Sequence, residues 1–207
     1  MARKVEPDLI EKNRARIIEA AKELFIQDGI ENTKTNDIAK LAGMSKSTLY
    51  VYFRSKEDIV NCLSLEAMTF FYNELKTRLE NSSLLFHDKY VEICNIMVDF
   101  KMEYPLSFQL LVEEICVDDG CLRENQVLQE IYEIGEKVNH LILRVLTENS
   151  QKANMEDLFV KIFSQWGSIY GLIVLADNKE AYIEKNMHMT KKEFLSQGFE
   201  QLFKSII

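Results

Sequence analysis

The chain has 207 residues, of which 47% are hydrophobic and 28% charged, with only 7 Gly and 2 Pro. That is enough apolar material for a core, too much for a disordered chain, and too few breakers for anything but long helices. The net charge of −8 argues against a surface that coats nucleic acid everywhere, yet the charge is uneven: residues 1–60 hold 11 basic and 10 acidic side chains, the remainder 14 and 23.

No uncharged apolar stretch reaches the roughly 18 residues that span a bilayer, and Met1 to Lys12 is too charged for a secretory leader. The expectation is a cytoplasmic protein without a membrane partner. Its cysteines, Cys62, Cys94, Cys116 and Cys121, are then reduced. Cys116 and Cys121 flank Val-Asp-Asp-Gly and read either as a redox or metal pair or as inert small side chains.

In chain order, the first helix is predicted over 8–28. Pro7 suits its start, where a missing N–H forfeits no bond. Ile17, Ala21, Leu24 and Phe25 recur at helical spacing, and Gly29 closes the helix. Thr35 is expected to cap a short second helix carrying Asp37 in its first turn. Gly43 ends that helix, and Ser45 caps a third over about 46–52. Ser55 and Asp58 have capping-box spacing and open a fourth helix to about Glu80, a rod of roughly 35 Å. Further helices are predicted near 87–103, 105–117, 123–148, 154–177 and 190–206, with a weak turn near 179–185. Pro105 starts or kinks a helix, and Gly120 marks a break. No sustained period-2 alternation suggests a sheet, so the fold class is all-α.

The stretch 35–53 reads TNDIAKLAGMSKSTLYVYF. Ala39 is small where two helices cross, Gly43 permits the positive φ of a tight turn, and Leu49 with Ile38 and Leu41 fills a small core. Left outward on the third helix are Lys46, Ser47, Thr48, Tyr50 and Tyr52, all donors of the kind phosphates and base edges accept. Lys34, Lys40, Lys46, Arg54 and Lys56 face one acid, Asp37, within 33–56. A basic patch on an acidic body is what a localised DNA contact requires.

This helix-turn-helix resembles the tetracycline-repressor (TetR) family. The resemblance rests on Thr35, Asp37, Ile38, Ala39, Ala42, Gly43, Met44, Ser45, Thr48, Leu49, Tyr50, Tyr52, Phe53, Lys56 and Glu57, preceded in register by Ile17, Ala20, Ala21, Leu24, Phe25 and Gly29. It is specific over residues 10–60; beyond these only length, helicity and general plan match. It implies a three-helix DNA-binding domain over 1–55 and a helical ligand-sensing and dimerisation domain over 56–207. It also implies that Lys46, Ser47 and Thr48 meet the major groove of an operator duplex and that Tyr50 and Tyr52 touch phosphates or bases. Lys56 and Thr35 are implied phosphate contacts, and Arg3 and Lys4 an arm near the minor groove.

In the body, the predicted helix 154–177 is apolar on nearly every side, so both faces should be covered. Ser164, Gly167 and Gly171 form a small-residue stripe, and Phe199 and Leu202 recur on the last helix. The resemblance implies that these two helices form a four-helix homodimer interface; a tightly packed monomer is the alternative. Phe100, Met97, Phe108, Tyr132, His140, Trp166 and Tyr170 are candidate linings of an apolar effector site, with plain core as the alternative. The three histidines are too scattered for a metal set. No phosphate loop, H-E-x-x-H or nucleophile elbow is present, which disfavours an enzyme, and no cofactor is expected. The expected function is a transcriptional repressor released from its operator by a small molecule. The alternative is an activator or adaptor-controlled regulator without an inducer.

Overall fold

A computed structural model describes residues 7–80, 83–113, 118–147 and 155–206. Eleven helices and no strand occur among them. Arg3, Lys4 and Cys116 lie outside the described residues.

The first three helices are α1 (Pro7–Asp28), α2 (Thr35–Leu41) and α3 (Lys46–Tyr52). They close on a small core in which Ile17, Ala21, Phe25, Ile38, Ala39 and Leu49 are buried. Gly29 and Gly43 take positive φ of 83° and 68°, the conformations the turns after α1 and α2 demand. At Gly43 a β-carbon would also stand 2.9 Å from the Arg16 guanidinium, which donates to the Ala42 carbonyl at 2.6 Å. The turn is thus pinned from α1.

Helix α4 (Lys56–Leu79) ties this head to the body. Its buried residues, Ile59, Leu63, Ala67, Phe71, Leu75 and Leu79, recur every four residues along one stripe. Ile59 and Leu63 belong to the head's core and the other four to the body's. One rigid element therefore enters both cores.

The body comprises α5 (Phe86–Glu103), α6 (Pro105–Leu110), α7 (Asp119–Glu124), α8 (Gln126–Thr147), α9 (Met155–Asn178), α10 (Glu180–Met187) and α11 (Lys191–Lys204). Its core is aromatic: the Phe71 ring lies 5.1 Å from Phe100 and 5.5 Å from Trp166, and Phe108 stacks on Tyr170 at 4.8 Å. Arg78 pins α4 to α5 through Glu92 at 3.2 Å and Asp99 at 2.8 Å, with Glu74 of its own helix at 2.7 Å. Helix α11 opens on a complete capping box, Thr190 with Glu193.

Several boundaries differ from expectation. Lys34, not Thr35, stands at the N-cap of α2, and Thr35 is its first helical residue. The helix expected over 105–117 is helical to Leu110, with 114–117 outside the described residues. The one expected over 123–148 is two helices, parted where the Asn125 side chain accepts from the N–H groups of Val127 and Leu128 and caps α8. The weak turn near 179–185 is a full helix, ended by His188 in the left-handed region at φ 55°.

Helix α9 is long and apolar enough by composition to cross a membrane. Leu158, Ile162, Ile169, Ile173 and Ala176 nevertheless sit in the core of this chain.

Candidate functional site

Helix α3 is short and held from beneath by Leu49 and Phe53, both buried. Ser45 caps it, accepting from the Thr48 N–H at 3.1 Å. The Ser45 hydroxyl also lies 2.8 Å from those of Ser47 and Thr48. Lys46, Ser47, Thr48 and Tyr50 are all exposed, and the Lys46 ammonium sits 5.8 Å from the Tyr50 ring. Thr35 stands beside them, its hydroxyl 3.4 Å from that of Tyr50. Five of the seven described residues expected to meet DNA thus share one face of the head.

The other two turn inward. The Tyr52 hydroxyl accepts from Asn13 at 2.7 Å, and its ring packs on the head's core. The Lys56 ammonium donates to the carbonyls of Ile30 at 2.6 Å and Thr33 at 3.3 Å, fastening the α1–α2 loop to the start of α4. Tyr52 meets α1 and Lys56 the loop that follows it, so both side chains find protein partners. Lys34 of the basic patch is exposed beside Thr35, and two further exposed neighbours, Asn36 and Val51, the last 78% exposed, were not among the expected site residues. On α3, which reads KSTLYVY, Val51 is the one apolar side chain besides the buried Leu49, and that was the available signal.

The body holds a cavity of about 370 Å³ bounded by α4, α6 and α8, with Phe163 from α9. Phe100 and Tyr132 line it as expected. The other expected linings do not. Phe108 is buried and spends its face on Tyr170, while His140 is exposed with Nδ1 2.7 Å from the Glu136 carbonyl. Trp166 packs on Phe71 beside a separate void of only about 20 Å³, and Met97 is core. Trp166 and Tyr170 of α9 thus pack on the body's core, and the space opens elsewhere, between α4, α6 and α8. Missed on that side were Asn61, Ser64, Glu136 and Asn139, polar residues that recur on the inward faces of α4 and α8.

Helix α9 presents its second face outward. Ser164, Gly167 and Gly171 are exposed, as are Val160 at 67% and Phe163 at 60%. A β-carbon added at Gly167 or Gly171 would meet nothing within 4 Å. Phe199, expected on the same surface, is instead 3% exposed in the core of its own chain, and Leu202 packs half-buried against that core. The cause is the α9–α11 crossing: a β-carbon at Gly198 would lie 2.4 Å from Leu172 Cδ2, so α11 approaches closely and turns Phe199 inward.

The two cysteines with described side chains offer no reactive thiol. Cys94 is fully buried and pushed up to about 12 by that burial, and desolvation raises the half-buried Cys62 as well.

Residues 17–63 match the family profile described as bacterial regulatory proteins, tetR family. An HTH-type transcriptional regulator of Staphylococcus aureus (strain MRSA252) is 28% identical over 109 residues, 53% of this chain and 55% of that protein. The chain thus spans about half the length of the curated relative it matches. Among solved structures, the transcriptional regulator FadR from Bacillus subtilis, in complex with stearoyl-CoA, aligns with a TM-score of 0.63 at 20% identity, covering 91% of this chain and 96% of that one. AibR, in complex with isovaleryl coenzyme A and operator DNA, aligns with a TM-score of 0.64 at 16% identity, covering 92% and 98%. Motif and relatives agree that residues 17–63 form a helix-turn-helix domain like that of the tetR family of bacterial regulatory proteins, and the solved structures share the all-α fold of the whole chain.

Proposed function

We propose that this chain is a homodimeric, cytoplasmic repressor whose grip on an operator is released by a small molecule bound in the α4–α6–α8 cavity. Lys46, Ser47, Thr48 and Tyr50 read or clasp the duplex from α3, assisted by Thr35. The exposed face of α9 supplies the partner contact, its glycines allowing a close crossing. Two heads must then reach successive major grooves, about 34–36 Å apart.

One observation carries the link between cavity and head. Val60 of α4 lines the cavity and also packs against the head's core. Leu106 of α6 packs on the same core, while its neighbour Ser107 lines the cavity. A guest that favours a different seating of α4 and α6 therefore moves the head. It weakens DNA binding by its differential affinity for the two seatings. The complexes of FadR with stearoyl-CoA and of AibR with isovaleryl coenzyme A and operator DNA support a small-molecule ligand for a chain of this fold.

The test begins with duplex fragments selected by the protein from genomic DNA. The bound complex is titrated with fractionated cell extract. Saturable release is expected, and Leu106→Ala should retain DNA affinity while losing part of the response. Release by no fraction would leave a regulator without an inducer. Equal release from wild type and Leu106→Ala would remove α6 from the mechanism.

A further inference from the structure

Resting on the ligand-released reading above, we infer that the α4–α6–α8 cavity is built for an amphipathic cation: an apolar or aromatic body carrying an ammonium-type charge. Its walls are largely apolar, with Met68, Leu110, Leu128 and Ile131 among them. Its volume of about 370 Å³ lies at the small end for drug-sized ligands. The charged side chains among the described lining residues are Glu113 and Glu136, and those described residues include no Lys, Arg or His.

Glu136 is half-buried, and its described side-chain partner is the Asn139 amide at 3.4 Å, a weak neutral contact. A carboxylate kept partly out of water without a cation beside it is a standing attraction for a positive guest. Glu136 shares one face of α8 with Tyr132, Gly135 and Asn139. Gly135 leaves the space in front of that face open, since a β-carbon there meets nothing within 4 Å. The rings of Tyr132, Phe100 and Phe163 line the same space, and aromatic rings attract an ammonium or a delocalised cation.

The same lining argues against acyl-coenzyme A. Several phosphate charges need Lys, Arg or free helix N-termini around them. Here they would meet two carboxylates. The chain's likeness to coenzyme A binders is one of fold, and the charge on its own cavity wall points to a ligand of opposite sign.

The experiment is calorimetric titration of the full chain with three probes sharing one tail: decyltrimethylammonium, decanoate and decanol. Stearoyl-CoA is the fourth. The expected order places the cation at least about tenfold tighter than decanoate. Glu136→Gln should lower the ratio of cation to decanol affinity by about tenfold, and Glu113→Gln should lower it by less. Decanol binding reports that each variant still folds around the cavity. Tighter binding of decanoate or stearoyl-CoA than of the cation overturns the assignment. So does no binding of the cation, or a cation-to-decanol ratio unmoved by both variants. Operator release measured alongside separates this claim from its premise. Release by stearoyl-CoA alone sinks the cation and keeps the ligand-released repressor. Glutamate-dependent cation binding without release keeps the site and sinks the repressor mechanism.

Discussion

Replacing Gly198 by alanine probes the contact that orients the last helix. Alanine in a helix interior is favoured over glycine by about 1 kcal/mol, so the bare substitution should stabilise. The new β-carbon, however, would stand 2.4 Å from Leu172 Cδ2, 3.1 Å from Cδ1 and 3.2 Å from Cγ. Carbon pairs rest at about 3.5–4.0 Å, so the whole Leu172 side chain must leave its well or α11 must back away by about 1 Å. Overpacking of this kind costs about 1–3 kcal/mol. Gly135→Ala is the control, being mid-helix in α8 with nothing within 4 Å. It carries the same propensity gain and the same unfolded-state effect. The difference between the two variants isolates the steric cost, about 1–3 kcal/mol. In a chain of this size that is roughly 2–4 °C of Tm per kcal/mol. Thermal and urea denaturation at one protein concentration measure it. Equal stabilities for the two variants would refute the close α9–α11 crossing, and with it the reason given for the burial of Phe199.

Lys56→Met should destabilise the head by roughly 1.5–3 kcal/mol, the range for hydrogen bonds that involve a charged group. The salt dependence of DNA binding should stay unchanged; a log–log slope reduced by about 0.9 per site would restore Lys56 to a phosphate. Gly171→Arg should yield monomers in sedimentation velocity if the open face of α9 meets a partner, and a stable dimer would move the interface elsewhere. His87 joins α5 to α11, with Asp88 at 3.1 Å and Glu200 at 2.8 Å. The Asp88 and Glu200 hydrogen bonds raise its pKa in the folded chain. Its contribution is therefore complete below the unfolded value near 6.5 and fades as pH rises through the folded one. Wild type should lose more stability than His87→Gln between pH 5.5 and 8, and parallel losses would refute the bridge.

What could be read from sequence follows the range of the interactions involved. The head was legible because its determinants are local: glycines at two positive-φ turns, Ser45 as cap, and Ile38, Ala39 and Leu49 at fixed spacings. The inward turn of Tyr52 and Lys56 was not, because their partners Asn13, Ile30 and Thr33 lie 23 to 39 residues away. The capping box at Thr190 and Glu193 was not read from the sequence, although its spacing fits one; the break at Asn125 needed an Asx cap that resembles any helical polar residue. The cavity was misjudged for a physical reason. Aromatic side chains such as Phe108 and Trp166 attract attention as linings, yet large rings fill space. The empty volume lies where Gly135, Ser64 and Asn61 are too small to fill it.

The claim that α3 reads DNA is tested most directly by selecting bound sequences from a random duplex pool, with wild type and with Lys46→Ala. The account predicts that wild type enriches an inverted repeat whose half-sites lie about one helical turn apart or a multiple of it. Lys46→Ala should retain binding but relax the preference at defined positions in each half-site. Enrichment of no sequence by wild type, or the same preference from both proteins at every position, would contradict it.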